Sequence, residues 1–211
     1  CTDEDARRHV VDMFALAERY DRPVSMLVDD AGDAGLRTTE LLAVESLRRG
    51  MQRRVTAQHA RAMAMYPEPY FRKLSALLQR AGVSVVSDPH TGPLHARVRD
   101  LRAAGVTVAL GQDDISDAYY PFGRNNMLEV AFLAAHTLWM TSAADLQALF
   151  DMVTVDAAAA LGTPDWRIEA GNSPDLVLLD APDVRNALMH HGAPRAVLRH
   201  GNVITGSVPT P

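Results

Sequence analysis

The sequence predicts an α/β fold built on a parallel sheet, and two observations carry that prediction. Short apolar runs alternate with amphipathic stretches at helical spacing, giving β-α-β-α-β-α-β through residue 110. The clearest apolar run, Gly105-Val106-Thr107-Val108-Ala109-Leu110, leads through Gly111 and Gln112 straight into two acids, Asp113 and Asp114. Apolar strands with acids at their C-terminal tips are the arrangement an α/β barrel uses for chemistry, although Asp is also common in turns and helix caps.

The elements follow in order. The first twenty or so residues read as a helix, with Asp3, Glu4 and Asp5 at its positive end and Val10, Met13, Phe14, Leu16 and Ala17 along one face. Val24–Val28 is a short strand ending at Asp29 and Asp30. Thr38 to Arg49 is helical, with Gly50 just past its end. Val55–His59 is a further strand, ending at a histidine. Glu68 to Ala81 is a helix that tolerates Pro69 in its first turn, and Gly82 closes it. Val83–Val86 is the next strand, followed by Ser87-Asp88-Pro89-His90, and Arg97 to Ala104 is a short helix.

Beyond the acid pair lies a polar, aromatic loop, Ile115 to Gly123, with Tyr119, Tyr120 and Phe122. It reads either as local packing or as a surface for a flat ring. Helices are expected over Asn125–Leu138, Ala143–Met152 with Ser142 as its cap, and Thr154–Leu161 closed by Gly162. The pattern then turns β-rich. Leu176–Leu179 and the pair Ala196–Arg199 and Asn202–Ile204 read as a small β module, with a loose tail from Thr205.

Composition narrows the class. The chain has 211 residues, 47% apolar and 22% charged, and a formal net charge of −5. That balance leaves no basic footprint for nucleic acid. No apolar run approaches the roughly eighteen residues that span a bilayer. A single cysteine excludes an internal disulfide, and Cys-Thr-Asp-Glu-Asp does not read as a signal peptide, so a cytoplasmic location is expected. Because the sequence starts at Cys1 and not Met, a processed or truncated piece of a longer chain is expected.

Several segments together resemble the C-terminal half of the amidohydrolase superfamily, in its cytosine deaminase-like branch. They are Val55-Thr56-Ala57-Gln58-His59, Gly105 to Asp114, Asp117 to Gly123, Asn126-Met127-Leu128 and Ala170 to Leu179. The resemblance implies the C-terminal half of a (β/α)8 metal-dependent hydrolase barrel plus a small β-sandwich element. Residues 1–165 then correspond to about strands 5 to 8 of the family fold, and residues 166–211 to the C-terminal β segment of a composite sandwich. The implied activity is deamination of a cytosine-like heterocycle by hydrolysis of a non-peptide C–N bond, with a divalent metal, Fe or Zn, activating water.

The same resemblance implies roles. Asp113 matches the metal-binding Asp of the last strand, and His59 the sixth-strand His beside the metal. Asp30 falls where the proton-shuttling Glu usually sits. Asp114 matches a substrate-contacting acid and Tyr119 an aromatic over the substrate. Two departures accompany it: there is no His-x-His pair, and Leu27 stands where the fifth-strand His ligand is expected. His90 and His95 are either stand-in ligands or solvated loop positions. The expected partners are a small heterocyclic substrate and, because a four-strand piece has two open edges, either a homo-oligomer or a complementing N-terminal half-barrel. Two alternatives stay open: a non-catalytic remnant, pseudoenzyme or partner subunit, and an amidohydrolase acting on another cyclic amide or amidine.

Overall fold

In the computed structural model, four short strands form one parallel sheet in chain order: β1 (Val24–Val28), β2 (Val55–His59), β3 (Val83–Ser87) and β4 (Val108–Leu110). The structure describes residues 3–163 and 166–207, so the expected junction at 165/166 falls partly outside the described residues. Helices α1 (Asp3–Arg19), α2 (Thr38–Arg49), α3 (Glu68–Ala81) and α4 (Val98–Ala103) precede or link the strands. The first three pack side by side, and their apolar stripes meet the sheet. Phe14, Leu42, Leu74, Leu78, Val85, Leu101 and Val108 are fully or almost fully buried between the layers. Each such side chain contributes roughly 1.5–3 kcal/mol by leaving water.

Alternation along β1 divides the sheet into two faces. Val24, Met26 and Val28 are buried, while Ser25 and Leu27 are exposed on the other face. Register places Leu27 beside Gln58, Gln58 beside Val86, and Val86 beside Ala109, one row across the second face. Gln58 Nε2 donates to Ser25 Oγ at 2.9 Å along that face.

Helices α5 (Met127–Thr137), α6 (Ala143–Met152) and α7 (Val155–Leu161) follow the sheet and contact β4. Ser142 caps α6 in a capping box with Asp145. A separate antiparallel sheet joins β5 (Leu176–Leu178), β6 (Ala196–Arg199) and β7 (Asn202–Gly206).

Three local expectations are corrected. A helix, α8 (Val184–His190), interrupts the β-rich tail: Asp183 caps it by accepting from the Asn186 amide at 2.8 Å. The opening strand is shorter than residues 106–110, because Gly105 and Val106 still donate to Arg102 and Leu101 in the closing turn of α4. Thr205 and Gly206 belong to β7 and are not loose; residues 208–211 lie outside the described residues.

Candidate active site

All four parallel strands deliver a polar side chain at their C-terminal ends. Strand alternation would place His59 on the row of Val28 and Leu110, but its φ of 65° ends the strand and redirects the ring. Asp113 likewise has a φ of 60°. Left-handed backbone at a non-glycine residue costs energy and concentrates where geometry serves a site. The result is a cleft of about 240 Å³ lined by Leu27, Gln58, His59, Val86, Asp88, Gly111 and Asp113. Gly111 is needed there, since a Cβ would lie 2.9 Å from Val86 Cγ1. A larger cavity of about 1000 Å³ lies between the small sheet and α5–α6, lined by Trp166, Ile168 and Val177 among others. The titratable cluster is at the smaller cleft, and chemistry is assigned there.

The first acid pair divides its work. Asp29 turns back to the N-terminus of α2: its carboxylate accepts from the Thr38 and Thr39 amides at 2.9 and 2.8 Å and from Thr39 Oγ1 at 2.7 Å. It is a buried structural cap. Asp30 faces the other way, with Oδ1 3.4 Å from His59 Nδ1 and 3.4 Å from Arg61 Nη1.

His59 is the hub. Its side chain is 10% exposed, with Nδ1 3.2 Å from Asp88 Oδ1 and Nε2 3.8 Å from Asp113 Oδ1. The Nδ1 contact is short enough for a hydrogen bond but off its line, so the two groups act mainly as an ion pair. Asp88 raises the pKa of His59 most strongly, burial opposes it, and Asp30 adds to the rise. Burial by itself would raise Asp88, but His59, Thr91 and Arg61 outweigh it and hold the carboxyl far below its ordinary range. Asp113 moves the other way: burial and the neighbouring Asp88 charge push it up, against His59 and Arg61.

Arg61 completes the cluster. A short 3₁₀ turn at Arg61–Met65, entered through Ala60 at φ 50°, folds the chain back over the strand tips. The guanidinium contacts Asp88 directly, lies 3.6 Å from Asp113 Oδ2, and donates to Thr91 Oγ1 at 2.7 Å.

The structure thus brings together Asp30, His59 and Asp113 from the sequence-based set. Asp114 sits outside this group, beside Asp117. Tyr119 is 65% exposed on the loop, its amide held by Asp117 Oδ1, and its side chain interacts with Arg61. His90 turns to the Gln112 carbonyl at 3.2 Å and packs edge-on to Tyr120; His95 binds its neighbour's carbonyl. Neither histidine joins the cluster among the described residues.

Sequence reasoning missed Asp88 and Arg61. Asp88 had a signal, because it follows a strand as Asp30 and Asp113 do. Arg61 had none: nothing in the spacing of one arginine past a strand-end histidine says that its side chain returns to the site.

The profile of the Amidohydrolase family matches residues 1–205. The chain belongs to that family. It is similar to N-isopropylammelide isopropyl amidohydrolase of Pseudomonas sp. (strain ADP), 28% identical over 192 residues, which cover 90% of this chain and 48% of the relative. It is also similar to the pterin deaminase of Rhizobium rhizogenes, 31% identical over 201 residues, covering 88% of this chain and 46% of the relative. Among solved structures, 5-methylcytosine deaminase from Klebsiella pneumoniae superposes with a TM-score of 0.92 at 32% identity, covering 99% of this chain and 54% of that one. This amidohydrolase chain therefore spans about half the length of the relatives it matches, and its sheet corresponds to about half of their barrel. No helix among the described residues is long and apolar enough to cross a membrane.

A divalent metal is what the family resemblance implies, and the side chains test it. His59, Asp88 and Asp113 present ligand-type atoms within 4.8 Å of one another, a composition suited to such an ion. Of the two ligands that the resemblance places in this half of the barrel, however, the chain carries Asp113 and has Leu27 for the other. Leu27 lines the cleft with no lone pair to give, and Arg61 already contacts the carboxylates. As arranged here, the residues do not fit the ion.

Proposed function

We propose that this chain carries the proton-transfer part of a hydrolytic deaminase site, acting on a non-peptide C–N bond of a cytosine-like heterocycle. The observation that carries the reading is the placing of His59 and Asp113 in one cleft, Nε2 3.8 Å from Oδ1, with the pKa of each raised from its ordinary value. Asp88 raises His59, so it keeps a proton to higher pH than a free imidazole and is suited to donate one; burial raises Asp113, so it is a better base than an ordinary carboxylate. Names of relatives support the class: a pterin deaminase, an ammelide amidohydrolase and a 5-methylcytosine deaminase all act on flat nitrogen heterocycles.

In this reading the ring enters the cleft over Leu27 and Val86, whose apolar surface suits its face. Water attacks the carbon that bears the amino group, and its proton passes to Asp113. His59 donates to the ring oxygen or nitrogen on which charge develops. Asp30, at the cleft mouth with its side chain 52% exposed, takes the proton of the new hydroxyl and passes it to the departing amine, and the proton held on Asp113 returns to His59. The C–N bond breaks, ammonia leaves, and a ring carbonyl remains. Asp114 and Tyr119 contact the substrate from the rim. No step is routed through Fe or Zn, because the donor set does not fit either.

The test is amine release from a panel of heterocycles: ammonia from cytosine, 5-methylcytosine and pterin, and the alkylamine from an N-alkyl ammelide. Release from one class, lost in Asp113→Asn, supports the reading. Tight binding of a heterocycle without release favours the non-catalytic alternative. Hydrolysis of a cyclic amide or amidine outside the panel, followed by loss of the intact ring compound, favours the other amidohydrolase reading.

A further inference from the structure

We infer that Arg61 takes the cation's place in this cluster, and that it keeps a divalent ion off the His59, Asp88 and Asp113 group. The guanidinium and a metal ion would compete for the same oxygens. Arg61 contacts Asp88 directly, stands 3.6 Å from Asp113 Oδ2 through the same Nη2, and reaches Asp30 at 3.4 Å through Nη1. A metal bound by this group would draw on the same two carboxylates, at about 2.0–2.2 Å from their oxygens. The guanidinium and the ion would then lie within a few ångströms of each other, two positive charges in a site largely closed to water.

Protonation cannot resolve the conflict. An arginine keeps its charge across the whole accessible pH range, so the guanidinium stays cationic beside Asp88 wherever a metal could bind. Nor can the side chain swing easily aside: it is only 10% exposed and is tied to Thr91 as well as to Asp88. Asp30, Asp88 and Asp113 already share the one guanidinium. Leu27, on the edge strand β1, lines the cleft and supplies no further donor.

The inference concerns binding alone and stands whatever the substrate is. Its test is zinc binding by the 211-residue protein at neutral pH, measured by competition with a chromophoric chelator and counted by mass spectrometry. Wild-type protein is expected to bind zinc at this group at least about 100-fold more weakly than Arg61→Met. The gain in Arg61→Met should disappear again in Arg61→Met/Asp113→Asn. Equal affinity in wild type and Arg61→Met, or no gain in a folded Arg61→Met, overturns the inference. Should Arg61→Met fail to fold, zinc titration of the wild type followed through the His59 imidazole resonances decides it. Unmoved resonances uphold the assignment to Arg61. Saturable shifts that vanish in Asp113→Asn refute it.

Discussion

His59 and Asp88 face each other from the ends of neighbouring strands, Nδ1 3.2 Å from Oδ1, with both side chains at most 10% exposed. The pair gives the site a fixed pH response. His59 has a folded-state pKa above its unfolded value of about 6.5. Its contribution to stability is therefore complete below about pH 6.5 and is lost as pH rises through the folded value. Asp88 is held below its unfolded value of about 3.9, so its contribution is present above that pH and is lost as pH falls through the folded value. These are two views of one contact and are not additive. His90, lowered by burial, acts in the opposite sense near neutral pH, which makes a difference measurement necessary. The expected outcome is that the stability gap between wild type and His59→Gln narrows from pH 6 to pH 9 in urea titrations. A gap that widens over that range contradicts the assignment.

Removing Arg61 should be costly to the fold. Asp88, with its side chain 5% exposed, would keep its charge while losing the guanidinium that contacts it. Breaking a buried pair by removing one partner costs about 3–5 kcal/mol. His59 stays beside Asp88 and softens the loss, so Arg61→Met is expected near the lower end, about 3 kcal/mol by urea unfolding. A double change with Asp88→Asn should recover part of it. A loss below about 1 kcal/mol would place the pair among ordinary surface contacts.

Asp29 makes a different prediction from the acid next to it. Its carboxylate caps α2 and accepts from a buried threonine hydroxyl, so Asp29→Ala should cost about 2 kcal/mol in stability. Asp30→Ala leaves half-exposed surface behind and should cost less than about 1 kcal/mol. Chemical denaturation of the two variants side by side checks the division, and equal losses would contradict it.

Much of this architecture was legible in the sequence. Glycines in left-handed conformation close α2, α3 and α7 at Gly50, Gly82 and Gly162, where the sequence places them. The strand tips could be read because apolar runs stop at acids or at His59. What escaped is what depends on three-dimensional return of the chain. Helix α8 is only seven residues long and sits in a β-like context, and its cap at Asp183 is an ordinary Asp-Pro-rich turn by sequence. Asp29 and Asp30 look equivalent on paper; only the positive φ of Asp29 and the approach of the α2 N-terminus separate them. Arg61 enters the site through a backbone reversal at Ala60 that periodicity does not encode.

The central claim is that the strand-tip cluster moves protons during C–N hydrolysis, and the most direct measurement is amine release by Asp113→Asn and His59→Gln on the best heterocycle of the panel. Each variant should retain the wild-type fold by circular dichroism and lose at least about 100-fold in kcat. Release that stays within about threefold of wild type in both variants would contradict the account, since neither His59 nor Asp113 would then be transferring the proton.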